Sequence, residues 1–168
     1  MNYKNILLII LFTSFAALTR ITPHPPNFTP LISIAIFCGI LFKNRYGFFI
    51  PFIAMVVSDL WLGFHNILFY VYFSLFLIFT MGHLFRNNNN LKNTIYLSLS
   101  GSIIFFIVSN FGVWLIGYPK NFHGLLACYY AAIPFFQNTL LSTLIYSTVF
   151  LLSYQYLNNR NIAVSKKS

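Results

Sequence analysis

The sequence predicts an all-α membrane protein, a compact bundle of six transmembrane helices with the N- and C-termini cytoplasmic. Three observations carry this. The 168-residue chain is 58% hydrophobic and 20% aromatic but only 7% charged, whereas soluble domains carry roughly 25% charged residues. Its apolar residues fall into six runs divided by short polar breaks. Its ten Lys and Arg are rich in alternate breaks and sparse in the others. The net charge of +9 is no nucleic-acid footprint, because the basic residues stand singly or in pairs at the ends of apolar runs, as membrane proteins place them. The expected surroundings are a lipid bilayer, with no nucleic acid as partner.

The runs, in order, cover residues 5–19, 29–42, 47–63, 66–85, 94–117 and 134–157, within one transmembrane domain over 1–168. The first begins with a positive start at Lys4 and small residues Ser14 and Ala16. It is read as a retained helix rather than a cleaved signal. A bilayer core of about 30 Å wants roughly 20 helical residues. The first three runs fall short of this, and the second is the weakest candidate; tilting or loop residues would have to extend them. The sixth is expected to start at Pro134, after a semi-apolar stretch from His123 to Ile133.

Charge orients the bundle. With the N-terminus inside, the cytoplasmic breaks hold Lys4, Lys43, Arg45, Arg86, Lys92, Arg160, Lys166 and Lys167, against Arg20 and Lys120 outside. Eight against two is the expected bias for cytoplasmic loops. The inner loops are bland, among them the tetra-asparagine 87–90, and His83 is the one histidine at that side. The outer loops carry His24, Asn27, His65 and His123.

Asp59 is the only acidic residue of the chain, inside an apolar run. An ionisable group at membrane depth is costly and marks a functional or pairing role. It lies one turn before Gly63, about 6 Å inside the outer helix end at 1.5 Å per residue. Arg20 is its expected partner, since buried charges persist when paired. Two readings stay open: a structural Arg20–Asp59 clamp, or an ion pair that also lines a ligand or proton site.

The segment from Thr22 to Pro30 holds four prolines and cannot be helical through its middle, because each ring fixes φ and lacks a donor. It is a stiff cap that presents His24 and Asn27. Asn110, Trp114 and Tyr118 recur every fourth residue at the outer end of the fifth helix, and Gln137 and Asn138 open the sixth. Aromatic rings beside amides suit a flat polar ligand. An interfacial aromatic belt explains Trp114 and Tyr118 equally. The histidines, Asp59 and Cys128 lack any metal-motif spacing, so no metal and no cofactor are expected. No nucleophile motif occurs either, which argues against an enzyme. Cys38 and Cys128 are read as small hydrophobes. Small residues on the fifth helix (Ser98, Gly101, Ser102, Ser109, Gly112), and Thr13 with Ala17 on the first, allow close helix approach.

This layout resembles the substrate-binding S components of energy-coupling factor (ECF) transporters, which take up micronutrients such as vitamins. Three stretches resemble an uncharacterised bacterial integral membrane family related to them: Arg20-Ile-Thr-Pro-His-Pro-Pro-Asn-Phe-Thr-Pro30, Ser58-Asp-Leu-Trp-Leu-Gly-Phe-His65, and Phe111-Gly-Val-Trp114 through Gly124-Leu-Leu-Ala-Cys-Tyr-Tyr-Ala-Ala-Ile-Pro-Phe-Phe136. The resemblance implies a multi-pass protein of the bacterial inner membrane. It implies an outer pocket capped by loops, and docking on a transmembrane coupling subunit with separate ATPases. The S-component hallmark on the first helix, two alanines four apart, is replaced here by Thr13/Ala17 and Ala16/Arg20, which leaves a solitary transporter of the same fold open.

The expectation is therefore a membrane-embedded binding and uptake protein for a small polar micronutrient. Arg20 and Asp59 would anchor the ligand. His24, Asn27, His65, Asn110, Tyr118, His123 and Asn138 would offer hydrogen bonds, and Trp114 a stacking face. The alternative is a small structural subunit of a larger membrane complex.

Overall fold

A computed structural model of the chain describes residues 13–42, 46–86 and 90–165. Among them are six helices and no strand. They are α1 (13–21), α2 (Leu31–Leu41), α3 (Tyr46–Leu62), α4 (Leu68–Leu84), α5 (Leu91–Gly117) and α6 (Phe122–Ser165). The first part of the first apolar run, the inner-loop cations Lys43 and Arg45, Asn87–Asn89 and the terminal Lys4, Lys166 and Lys167 lie outside the described residues.

One short helix organises the rest. Every residue of α2 from Leu31 to Ile40 is buried, and α2 packs on α3, α4, α5 and α6. A helix that is apolar all round belongs in a core. Its polar exception, Ser33, is fully buried and satisfied: its hydroxyl donates to the Thr143 carbonyl at 3.0 Å and accepts from the Ser147 hydroxyl at 3.0 Å. This pins α2 to α6. Ser33→Ala should cost about 1 kcal/mol, read as a lower thermal midpoint in detergent; an unchanged midpoint would show that the link adds nothing.

Glycine sets the approach of α2 to α4. A Cβ on Gly39 would overlap the Phe79 carbonyl oxygen, and one on Gly82 would overlap that of Ile36. The small residues of α5 expected to serve packing do so: Ser98, Gly101, Ser102, Ser109 and Gly112 are all buried, with Gly101 facing Ile32 and Ile36 of α2. Ala16 and Ala17 are buried in the chain's own core, so the Thr13/Ala17 pair is not an outward docking stripe.

Among the described residues, two helices are long and apolar enough to cross a membrane, α5 (Leu91–Gly117) and the part of α6 from Phe122 to Tyr156. The helices α2, α3 and α4 are apolar but only 11–17 residues long. At 1.5 Å per residue α2 measures about 16 Å, roughly half of a bilayer core. The all-helical architecture is present among the described residues, with span length reached by α5 and α6. The sixth helix also starts earlier than expected. It opens at Phe122 and carries Pro134 in its interior, because one missing N–H is tolerated where neighbouring helices support the backbone. On either side of it α6 is fastened to α5: the Tyr129 hydroxyl donates to the Ile107 carbonyl at 2.7 Å, and the Phe106 and Phe136 rings pack with centroids 4.8 Å apart.

Candidate functional site

The helices alternate in direction, which brings the end of α1, the start of α2, the end of α3, the start of α4, the end of α5 and the start of α6 to one end of the bundle. There they enclose a cavity of about 520 Å³, within the range of small-molecule sites. Each of the six helices or their connections contributes to its wall.

Local chemistry builds the rim. Residue Gly63 ends α3 with φ of 93°, and its N–H closes on the Asp59 carbonyl at 2.8 Å. A left-handed residue after the last turn is where glycine caps a helix. The proline segment 22–30 is non-helical, as expected, and is held by turns. Phe28 N–H donates to the Pro25 carbonyl at 2.9 Å, and Asn27 adopts φ of 62°, which asparagine tolerates. The Asn138 amide donates to the Pro26 carbonyl at 3.0 Å and ties this segment to α6.

The expected pair forms. One guanidinium nitrogen of Arg20 (Nη2) lies 3.0 Å from Asp59 Oδ1. The other, Nη1, donates to the Ser58 hydroxyl and sits 2.8 Å from the Met55 sulfur. The Tyr72 hydroxyl makes a long 3.5 Å contact to Asp59 Oδ2. Although close enough for an ion pair, Oδ1 receives no aligned hydrogen bond among the described residues. We read the contact as a charge pair held mainly by proximity. Asp59 is 1% exposed and Arg20 16%.

Six of the ten expected site residues lie on the cavity wall: Arg20, His24, Asn27, His65, Asn110 and Tyr118. The other four do not. Asp59 sits behind Arg20 instead of facing the cavity, since its carboxylate is spent on the guanidinium. Trp114 is taken up in closing α5: its indole N–H donates to the Pro119 carbonyl at 2.9 Å, while the Lys120 ammonium caps the Trp114 and Tyr118 carbonyls at 2.9 Å each and sits 5.9 Å from the indole ring centre. Cations near helix C-termini commonly take the last carbonyls. His123 is exposed at the start of α6 and is not part of the wall. Asn138 serves the Pro26 carbonyl.

Several wall residues escaped sequence reasoning, among them Cys128, Thr139 and the rings Phe105, Phe106, Phe135 and Phe136. Arg20's further partners, Met55 and Ser58, had a usable signal, since Met55 is one turn before Asp59 and shares its face. The hydroxyls Ser109 and Thr139 donate to carbonyls four residues back, Phe105 at 2.6 Å and Phe135 at 2.8 Å. The Asn110 amide N–H₂ donates to the Phe106 carbonyl at 2.7 Å, which leaves its Oδ1 available. His24 Nδ1 lies 2.6 Å from the Thr22 carbonyl. A carbonyl can only accept, so Nδ1 carries a proton and Nε2 is the free acceptor of the neutral ring. Cys38 and Cys128 are free thiols. Among the described residues no three His, Cys, Asp or Glu side chains converge as a metal site would require.

The chain belongs to a family of unknown function, DUF6580, which it matches over residues 1–165. Neither a curated protein nor a solved structure matches it.

Proposed function

We propose that this member of DUF6580 is a multi-pass membrane protein of the bacterial inner membrane, S-component-like, that binds a small polar micronutrient in its end cavity and takes it up. The observation that carries the reading is the cavity itself: about 520 Å³, walled by every helix, capped by the proline segment, and offering polar groups not consumed by the fold. Membrane residence draws support from the two span-length helices and from the large apolar side chains turned outward, such as Trp61 at 76% and Leu60 at 68% exposure. Soluble monomers rarely expose contiguous apolar surface on this scale. In this reading the short helices sit within the bundle's own thickness, α5 and α6 cross fully, and both termini are cytoplasmic. Energy would come from a coupling subunit with ATPases or from a solitary mechanism of the same fold.

Uptake is tested by medium depletion. Cells making the wild type should remove one small polar compound faster than cells making Ala131→Trp, which fills the cavity from an exposed wall position. Equal depletion of every compound would end the uptake reading. The second reading, a structural subunit of a larger complex, shares the enclosed Asp59 and the apolar exterior; it would be favoured if the chain co-purified only with other membrane subunits and never with a small molecule.

Orientation is a separate expectation. Both native cysteines are buried, so labelling background is low. A cysteine placed at Asn121 should react with an impermeant maleimide on intact cells, and one at Asn90 only after lysis. The reverse pattern would invert the topology.

A further inference from the structure

We infer that the cavity selects a ligand without positive charge, a neutral or anionic head bearing oxygen acceptors joined to a flat apolar body. The inference rests on the cavity's being a binding site and adds its chemical class. The first observation is the direction of the Arg20–Asp59 ion pair. Arg20 lines the cavity and Asp59 does not; the two are 3.0 Å apart, with the carboxylate on the buried side. The pair is neutral overall, but its positive end faces the ligand. No other carboxylate is available to reverse this, because the chain contains no second Asp or Glu. An ammonium in the cavity would meet a guanidinium in front and find its counter-charge screened behind it.

The second observation is the complement of free hydrogen-bonding atoms. A guanidinium has five N–H donors, and among the described residues Arg20 engages Met55, Ser58 and Asp59 alone. Donors remain for an oxygen of the ligand, and charge-assisted bonds of this kind are the stronger class. Asn110 Oδ1 and His24 Nε2 are acceptors, so the same head is best served by an N–H or O–H beside its oxygen. A carboxylic acid derivative or a lactam edge has this pattern; a primary ammonium has only half of it. The third observation is the aromatic part of the wall. Phe105, Phe106, Phe135 and Phe136 offer an aromatic surface with no polar atoms, which suits a planar apolar body.

The test uses full-length protein purified in detergent, loaded with the soluble small-molecule extract of the expressing cells, washed and denatured. Released compounds are identified by mass spectrometry in both ion polarities. Ala131→Trp is the blocked control, with Val113→Trp as a second control should the first fail size-exclusion chromatography. The expected result is a compound that is neutral or anionic at pH 7, released from the wild type at about tenfold the level of the control, a difference of about 1.4 kcal/mol in retention. Millimolar nicotinate or nicotinamide should displace it better than 3-picolylamine, which has the same ring with an ammonium. A retained compound that is an amine cation would overturn the charge assignment and leave the binding site standing. Equal release from wild type and both controls would overturn the binding site itself.

Discussion

Replacing Arg20 by glutamine should destabilise the folded chain by about 3–5 kcal/mol, and adding Asp59→Asn should recover most of the loss. Breaking a buried pair on one side leaves an uncompensated charge, whereas removing both partners is often close to neutral. The two single variants should not be equal. Arg20→Gln strands a carboxylate that is 1% exposed, with the Tyr72 hydroxyl 3.5 Å away as its remaining polar contact on Oδ2. Asp59→Asn strands a guanidinium that is 16% exposed and borders the cavity, where water can solvate it. The expected order of thermal midpoints in detergent is wild type, then the double variant, then Asp59→Asn, then Arg20→Gln.

Ligand retention should follow a different order, and that separates the clamp from the site. Asp59→Glu keeps the charge but adds a methylene in a filled position, at about 1–3 kcal/mol. It should still retain ligand better than Asp59→Asn, because the positive end of the pair stays oriented. The double variant should melt near the wild type yet lose the preference for acceptor-bearing ligands. If it melts as low as Arg20→Gln, the pair itself, and not only the stranded charge, sets the stability of the α1–α3 contact. If it melts normally and binds normally, the pair contributes neither to stability nor to ligand choice, and the charge assignment falls.

How much of this could be read from the sequence differs by the kind of constraint. Helix ends marked by backbone chemistry were legible. The run 47–63 became Tyr46–Leu62 with Gly63 as its cap, and the four prolines kept 22–30 out of a helix. The Arg20–Asp59 pair was legible because one acid in an apolar chain needs a cation at matching depth. Its facing was not. Spacing along α3 fixes how deep Asp59 lies, but which neighbour stands between it and the cavity depends on the packing of α1. That Trp114 and Asn138 stand off the cavity wall was not legible for a related reason. Their partners, the carbonyls of Pro119 and Pro26, become available only through the local path of the backbone. The centrality of α2 did have a signal. A run with one polar residue in eleven has no wet face, and a short helix of that kind reads more naturally as core than as an independent span.

Gly39→Ala and Gly82→Ala should be the most damaging single-methyl changes at the contact of α2 with α4. Each added Cβ would overlap a backbone carbonyl oxygen of the facing helix, Ile36 for Gly82 and Phe79 for Gly39. A side chain in the way can change rotamer; a carbonyl within a helix can move only with its helix. The expected cost therefore lies at the upper end of the roughly 1–3 kcal/mol typical of overpacking. Gly101→Ala meets side-chain methyls, those of Ile32 and Ile36 at 3.3 Å and of Ile78 at 3.6 Å, and should cost less. Gly117→Ala, which meets nothing within 4 Å, is the control and should leave the midpoint unchanged or slightly raised. The consequence reaches the site, because Leu31 of α2 and Val71 of α4 both line the cavity. Forcing the two helices apart at their far ends tilts these walls relative to each other. Ligand retention should then fall in Gly82→Ala even at temperatures where the variant remains folded by size-exclusion chromatography. A Gly82→Ala protein that melts with the Gly117→Ala control would show that α2 and α4 have slack at their crossing. In that case the glycines would not set the shape of the cavity.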